Sequence, residues 1–338
     1  MIPFLKEILE QPGAVRDTAE YLRQASMPAG GYSRIVATGM GSSYFVAGAF
    51  SLVLEGRGVP AFCENAGELL HYGQKVLVED TLLVAISQSG ESYETVQLLR
   101  ELSLPKERVV AITNEPQSSL ASMAGTVIQT KAGKEEKTST KTFITSWMAA
   151  LALADSICGI KTKWDPDWLA EAVEKTLNRR EQVNLAADLV GDASFIQFTA
   201  RGIDFQVARQ SALMCNEALH LSSSALTGGD FRHGPLEMVA PGMTVVIISH
   251  SQSPTRAQSL RLVDDVLRYG GNVLLVTDRN PHPGAFAGIE VLETEPCAPE
   301  LFPVLAVLPL QLLIVELASR RGIVPGDFSH GGKVTLSE

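Results

Sequence analysis

The 338 residues include only four cysteines, Cys63, Cys158, Cys215 and Cys297, and no two of them stand at C-x-x-C spacing. Thiols this scattered argue against a disulfide framework or a zinc site and read as reduced core thiols. Long apolar runs are lacking too. No stretch is read as long enough for a membrane span, and the opening MIPFLKEILEQPGAV has neither the basic region nor the small-residue cleavage site of a signal peptide. The expectation is a cytoplasmic protein. Positive charge is in deficit: 28 Lys and Arg against 38 Asp and Glu leave a net charge of −10. Nucleic acid and anionic membranes need a basic footprint and are excluded as expected partners. A small anion is not excluded, because hydroxyls, backbone N–H groups and a helix N-terminus can hold a phosphate locally.

What is present is a globular composition, 45% hydrophobic and 20% charged, on a chain long enough for two full cores. From about Ile2 to Ala25 the sequence is amphipathic and helical, with a break expected at Pro12-Gly13. Beyond it, strand-like runs alternate with helical ones. RIVATGMGSS (Arg34 to Ser43) reads as a strand entering a glycine turn, and Leu82 to Ile86 as a strand covered on both faces. Such alternation predicts an α/β fold with a parallel, doubly wound sheet. The pattern then repeats. FIQFTARGID (Phe195 to Asp204) echoes RIVATGMGSS, TVVIISHSQSP (Thr244 to Pro254) echoes TLLVAISQSGES, and NVLLVTDRNP (Asn272 to Pro281) echoes RVVAITNEP, in the same order and at nearly the same gaps. Two copies of one flavodoxin-like domain in tandem are inferred, at 29–160 and 191–325. An N-terminal helical segment (1–28), a charged helical linker (161–190) and a C-terminal tail (326–338) complete the division.

In a doubly wound sheet, ligands collect at the carboxyl ends of the strands. Three hydroxyl-rich loops are placed there: GMGSS (Gly39 to Ser43), SQSGES (Ser87 to Ser92) and KTSTK (Lys137 to Lys141). Any one alone reads as a set of helix caps and turn residues. Three at one sheet edge read as a phosphate site. In the second copy SHSQSP has no glycine and has a proline, so only the first copy is expected to hold the phosphate.

These residues resemble a known family. KEILEQPGAV, GMGSSY, SQSGESYETV, ITNEPQSSLA, TSTKTF, NEALHLSSSALTGGDFRHGPLEM and KVTLSE together are similar to double sugar isomerase (SIS) domain proteins. The likeness is to the isomerase half of glucosamine-6-phosphate synthase (glutamine:fructose-6-phosphate aminotransferase) and to stand-alone deaminases of SIS type. The resemblance implies that Gly41, Ser42, Ser43, Ser87, Gln88, Ser89, Ser92 and Ser139 bind the sugar phosphate. It further implies that Glu217 moves a proton between C1 and C2, that His233 helps open the sugar ring, and that Lys333 closes over the sugar. It also implies a homodimer in which the histidine segment comes from the neighbouring subunit. Without it, Glu217 would read as a surface or salt-bridged glutamate, His233 as the brace of a Gly-Pro turn, and Lys333 as a solvated tail lysine.

The chemistry agrees. Interconverting a ketose and an aldose phosphate needs a carboxylate to carry the proton, a histidine at the ring oxygen and a cation near the carbonyl oxygen, and requires no metal or cofactor. Two departures matter. Met214 stands where the synthase has a lysine, and no glutaminase segment precedes the first copy, so ammonia is not expected to be drawn from glutamine. The leading expectation is therefore conversion of glucosamine-6-phosphate to fructose-6-phosphate and ammonia. A deglycase for a phosphorylated sugar–amino acid conjugate, a plain aldose–ketose isomerase and a non-catalytic sugar-phosphate sensor remain as alternatives. Since Glu217 and His233 lie in the second copy, the active site is expected between the domains.

Overall fold

The computed structural model of the protein describes residues 1–78, 80–102, 104–162, 164–281, 288–328, 330 and 332–335. Among them are two five-stranded sheets in which every neighbouring pair of strands runs parallel. The first contains β1 (Arg34–Gly39), β2 (Ala61–Asn65), β3 (Thr81–Ile86), β4 (Val109–Thr113) and β5 (Thr126–Gln129), in the order β2-β1-β3-β4-β5. The second contains β6 (Phe195–Ala200), β7 (Ser222–Thr227), β8 (Thr244–Ile248), β9 (Asn272–Thr277) and β10 (Ile289–Glu293), in the order β10-β9-β8-β6-β7. From its other edge this is the same winding, and the three echoing segments are its first, third and fourth strands. The repeat read from the sequence is a repeat of topology.

The strands form where the pattern requires them. All six residues of β3 are buried, so it has no solvent face and no polar alternation. Around it Val36, Leu83, Leu98 and Ala111 make one core. Phe231, Val245, Leu262, Val266 and Val273 make the equivalent core of the second sheet, with Leu262 and Val266 on one face of the helix Arg256–Arg268. Each fully buried Val, Leu, Ile or Phe contributes roughly 1.5–3 kcal/mol.

Contacts group the chain into two units that do not follow its order. One contains the second sheet and joins Met1–Leu9 to Glu171–Phe328, while the other contains the first sheet and joins Glu10–Ala170 to Ser329–Glu338. The N-terminal break comes at Glu10, between the helices Pro3–Leu9 and Gln11–Leu22, earlier than the expected Pro12-Gly13. Pro12 sits in the first turn of the second helix, where its missing N–H costs nothing.

Two further expectations are corrected. The helix Phe302–Arg320 does have the length and apolarity of a membrane span, but 83% of its apolar window is buried in the protein, as in a core helix. All four cysteines are free, yet only Cys215 is buried. Cys63 lies on an edge strand, Cys158 at a helix end and Cys297 beyond the last strand, where cover is partial. Burial still pushes the thiols of Cys215 and Cys297 up to about 12, far from thiolate reactivity at neutral pH.

Within the second-sheet unit, the helix Pro3–Leu9 packs on Phe302–Arg320, and Phe4 and Ile8 are fully buried. Phe4→Ala is expected to lose roughly 3–5 kcal/mol, read as a fall in the thermal unfolding midpoint.

Candidate active site

β1 and β3 are neighbours although β2 comes between them in the chain, so β1 hands on to a helix on one side and β3 on the other. Gly39 pairs with Ile86, which makes the two strands end level. This is the reversal of strand order at which such sheets bind ligands. The loop after β1 needs its glycines. A Cβ on Gly39 would stand 2.7 Å from the Ile86 carbonyl oxygen, and Gly41 has φ +51°. Ser42 and Ser43 follow in the first turn of the helix Ser42–Gly56, half-buried.

The loop after β3 is tied down at its start. Ser87 N donates to Ile112 O at 3.0 Å, and the Gln88 carbonyl accepts from Asn114 N (3.0 Å) and Thr113 Oγ1 (3.2 Å). Gly90 turns the chain at φ +65° and donates its N–H to Ser87 Oγ at 3.1 Å. The Ser87 and Ser92 hydroxyls are 3.2 Å apart, and Ser89 Oγ accepts from Glu91 N. Ser92 then caps the helix Tyr93–Glu101 with a non-helical backbone. Hydroxyls and the positive end of a helix therefore share one small volume, the arrangement that suits a phosphate.

The third loop is organised by a residue the sequence reading passed over. Glu135 has no exposed side-chain surface. Its Oε1 accepts from Thr140 N (2.9 Å), Thr140 Oγ1 (3.0 Å) and Thr142 N (3.1 Å), and its Oε2 from Thr142 Oγ1 (2.5 Å). Ser139, inside this loop, lies 2.7 Å from Thr142 Oγ1. Lys333 of the tail donates to Glu135 Oε2 at 2.6 Å and to the Lys137 carbonyl. Burial pushes the Glu135 carboxyl up, but the Lys333 charge and hydrogen bond, with those of Thr142 and Thr140, outweigh it and hold the group below its ordinary value. The tail also reaches the phosphate-type loop, because Tyr93 N donates to Thr335 O at 3.1 Å. The first-sheet unit thus holds Ser87, Gln88, Ser89 and Ser92 in one loop and brings the tail residue Lys333 onto Glu135 and Lys137 of the loop that contains Ser139.

Glu217 and His233 belong to the second-sheet unit. Glu217 is half-buried near the end of the helix Asp204–Leu219, and His233 is exposed where the helix Gly228–Arg232 ends. Met214, one turn before Glu217, is fully buried. His220 takes φ +50° at the helix end, a capping position. Of the other histidines, His250 is buried and His330 exposed.

The copy of the phosphate-type loop in this unit is already filled. Ser251, which matches Ser89, donates from N to Asp278 Oδ1 at 2.6 Å and from Oγ to Asp278 Oδ2 at 2.7 Å. Asp278 matches Asn114, whose amide in the first sheet instead serves Ala132 N and Gly133 O. Asp204, matching Ser43, accepts from His250 N at 3.2 Å. Burial pushes Asp204 up to about 7, the neighbouring Asp278 charge adding to the rise against the opposing His250 bond and Arg256 charge. An internal carboxylate holds the donors that a phosphate would need.

With this geometry in place, comparison with known proteins is informative. A family model for the SIS domain matches residues 32–155 and 191–319. The chain belongs to the SIS-domain family. It is 31% identical to a glutamine–fructose-6-phosphate aminotransferase (isomerizing) of Pyrococcus horikoshii over 95% of its own length and 55% of the relative's, and 28% identical to one of Neisseria meningitidis over 94% and 55%. It therefore spans about half of these relatives. Among solved structures, the C-terminal domain of glucosamine-fructose-6-phosphate aminotransferase from Francisella tularensis superimposes with a TM-score of 0.81 at 26% identity, covering 97% of this chain and 98% of that one. A glucosamine-6-phosphate deaminase of Thermotoga maritima shares the fold with a TM-score of 0.75 at 23% identity, over 98% and 99%.

In the first SIS repeat the sequence draws attention to the motif serines but not to Glu135, since KEEK resembles a solvated charge run. In the second repeat a signal was present: the echo sets Asp278 against Asn114 and Asp204 against Ser43.

Two outcomes are expected. A Cβ at Gly90 would strike the Ser118 side chain and require a strained φ. Gly90→Ala should therefore lose roughly 2–4 kcal/mol of stability, together with retention of phosphosugars in a binding titration. Asp204 keeps its proton in the folded protein where the unfolded chain has lost it, so stability falls as pH rises from 3.8 to about 7 and is level above. Asp204→Asn should flatten that fall, worth up to about 4 kcal/mol, in melting curves from pH 4 to 8.

Proposed function

We propose that this SIS protein is a phosphosugar isomerase acting on an amino-sugar phosphate, and that it converts glucosamine-6-phosphate to fructose-6-phosphate and ammonia. The observation that carries the reading is the meeting of Lys333 with the Ser139 loop in the unit that also holds the Ser87–Ser92 loop. A hydroxyl-lined anion cradle and a cation on a sugar-contacting loop are the two fixed points such a substrate needs. Homology with aminotransferases over nearly the whole chain supports the substrate class.

In this reading Gly41, Ser42, Ser43, Ser87, Gln88, Ser89 and Ser92 hold the phosphate and Ser139 the sugar. His233 moves protons at the ring oxygen so that the aldehyde is freed. Glu217 takes the C2 proton and returns it to C1 while Lys333 balances the charge developing on the oxygen at C1. As the double bond moves, an N–H proton of the amine passes to the oxygen at C1, which leaves an alcohol at C1 and an imine at C2. Water adds to it, and ammonia departs to give the ketose phosphate. The exposed position of His233 suits donation to a second copy of the chain, with a homodimer as the working form. The cradle of the first repeat is the one used, because Asp278 occupies its counterpart.

Purified protein with glucosamine-6-phosphate should release ammonia and fructose-6-phosphate in equal amounts. Glu217→Gln should slow this about 10²- to 10⁴-fold, the usual contribution of a positioned base. Interconversion of ketose and aldose phosphates without ammonia would identify a plain isomerase, ammonia-free release of an amino acid from a conjugate a deglycase, and binding without turnover a sensor.

A further inference from the structure

We propose that Glu135 is a positioning residue for Lys333, and that through this pair the tail and the sugar loop become ordered in a single event. The inference rests on the function proposed above and goes beyond it, because it names the group on which the tail lysine depends.

An ionised carboxyl with no exposed surface is tolerated only when hydrogen bonds and a cation replace the water it has lost. Glu135 receives four hydrogen bonds from Thr140 and Thr142, at the end of its own loop and in the first turn of the helix Lys141–Ile157, and all from neutral donors. Lys333 is the one cation bonded to it among the described residues. Loop and tail therefore complete each other: the loop shapes the carboxylate pocket, and the tail supplies its charge.

The lysine is equally constrained. An ammonium carries three N–H groups. Among the described residues, Glu135 Oε2 takes one and the Lys137 carbonyl a second, which leaves the third for a substrate oxygen. Lys137 is two residues from Ser139, so the free N–H is delivered at the loop proposed to hold the sugar. Two residues further along, the Thr335 carbonyl accepts from Tyr93 N, the first N–H of the helix that follows Ser92. The tail thus ties together the loop that begins with Glu135 and the one that ends with Ser92. Without the carboxylate, the lysine has only a neutral carbonyl to hold it and the Tyr93 bond loses its support.

The test is a double-mutant cycle on the full chain with E135Q, K333M and the double variant, read in two independent ways. In turnover of glucosamine-6-phosphate, E135Q and K333M should each lower kcat about 10- to 100-fold with a smaller change in KM, and the double variant should be no slower than K333M alone. In hydrogen exchange, the Tyr93 amide should lose protection to the same extent in all three. Losses that multiply in the double variant, or an E135Q protein with unchanged kcat and a protected Tyr93 amide, would overturn the proposal. A wild-type protein that turns over no phosphosugar would defeat the proposed function instead, and the exchange cycle would then decide the coupling by itself. Should E135Q fail to fold, K333M decides it: the amides of Thr140 and Thr142 must exchange faster, and unaltered protection would refute the role given to Glu135.

Discussion

Two parallel strands that end level, with the chain leaving them in opposite directions, set the terms for the rest of this protein. Parallel pairing of β1 with β3 forces each to hand its chain to a crossover. At the reversal of strand order, those crossovers diverge and leave a crevice floored by strand ends. Gly39 lets the two strands close up, and Gly41 and Gly90 turn the chain back into helices, with the motif serines in the loops between. The duplication repeats this constraint in the second sheet, where β6 and β8 diverge in the same way. That crevice is closed by the protein's own Asp278, which takes both donors of Ser251. One inherited architecture therefore carries a hydroxyl-rich loop in one repeat and an internal polar brace in the other.

The two repeats also show how differently burial can treat a carboxylate. Glu135 and Asp204 are both withdrawn from water, which favours the neutral acid in each. At Glu135 a bonded ammonium and donors from two threonines reverse that preference. At Asp204 the opposing influences are one backbone bond and the unbonded charge of Arg256, while Asp278 adds a like charge, and the acid form prevails up to about pH 7. Depth alone settles neither case. The partner decides, and in the first repeat the partner comes from a tail nearly 200 positions away.

That distance explains what could be read from the sequence. β3 and its loop were legible because a run of buried residues that stops abruptly at hydroxyls and a glycine fits a central strand opening into a tight turn and little else. The repeat was legible because the echoes fall at strand ends, where side-chain chemistry is most constrained by geometry. Glu135 was not legible, since a glutamate between charged neighbours resembles solvated chain until the tail folds onto it. Lys333 was found through family resemblance alone. The helix Phe302–Arg320 escaped notice as a span-length apolar segment because Pro309, Gln311 and Glu316 interrupt the run to the eye, although the whole is apolar enough. The N-terminal break was misplaced because Pro12 was read as a helix breaker, and at the first turn proline is a helix starter.

Met1–Leu9 group with the second-sheet unit, where the helix Pro3–Leu9 packs on the helix Phe302–Arg320, about 300 positions later. During synthesis, the first-sheet unit has nearly all its strands and helices available long before that partner leaves the ribosome, while Phe4 and Ile8 must wait exposed. The second-sheet unit is thus completed by two segments about 300 positions apart, a contact of very high sequence separation and correspondingly slow closure. A premature hydrophobic contact made by Phe4 or Ile8 would act on this step.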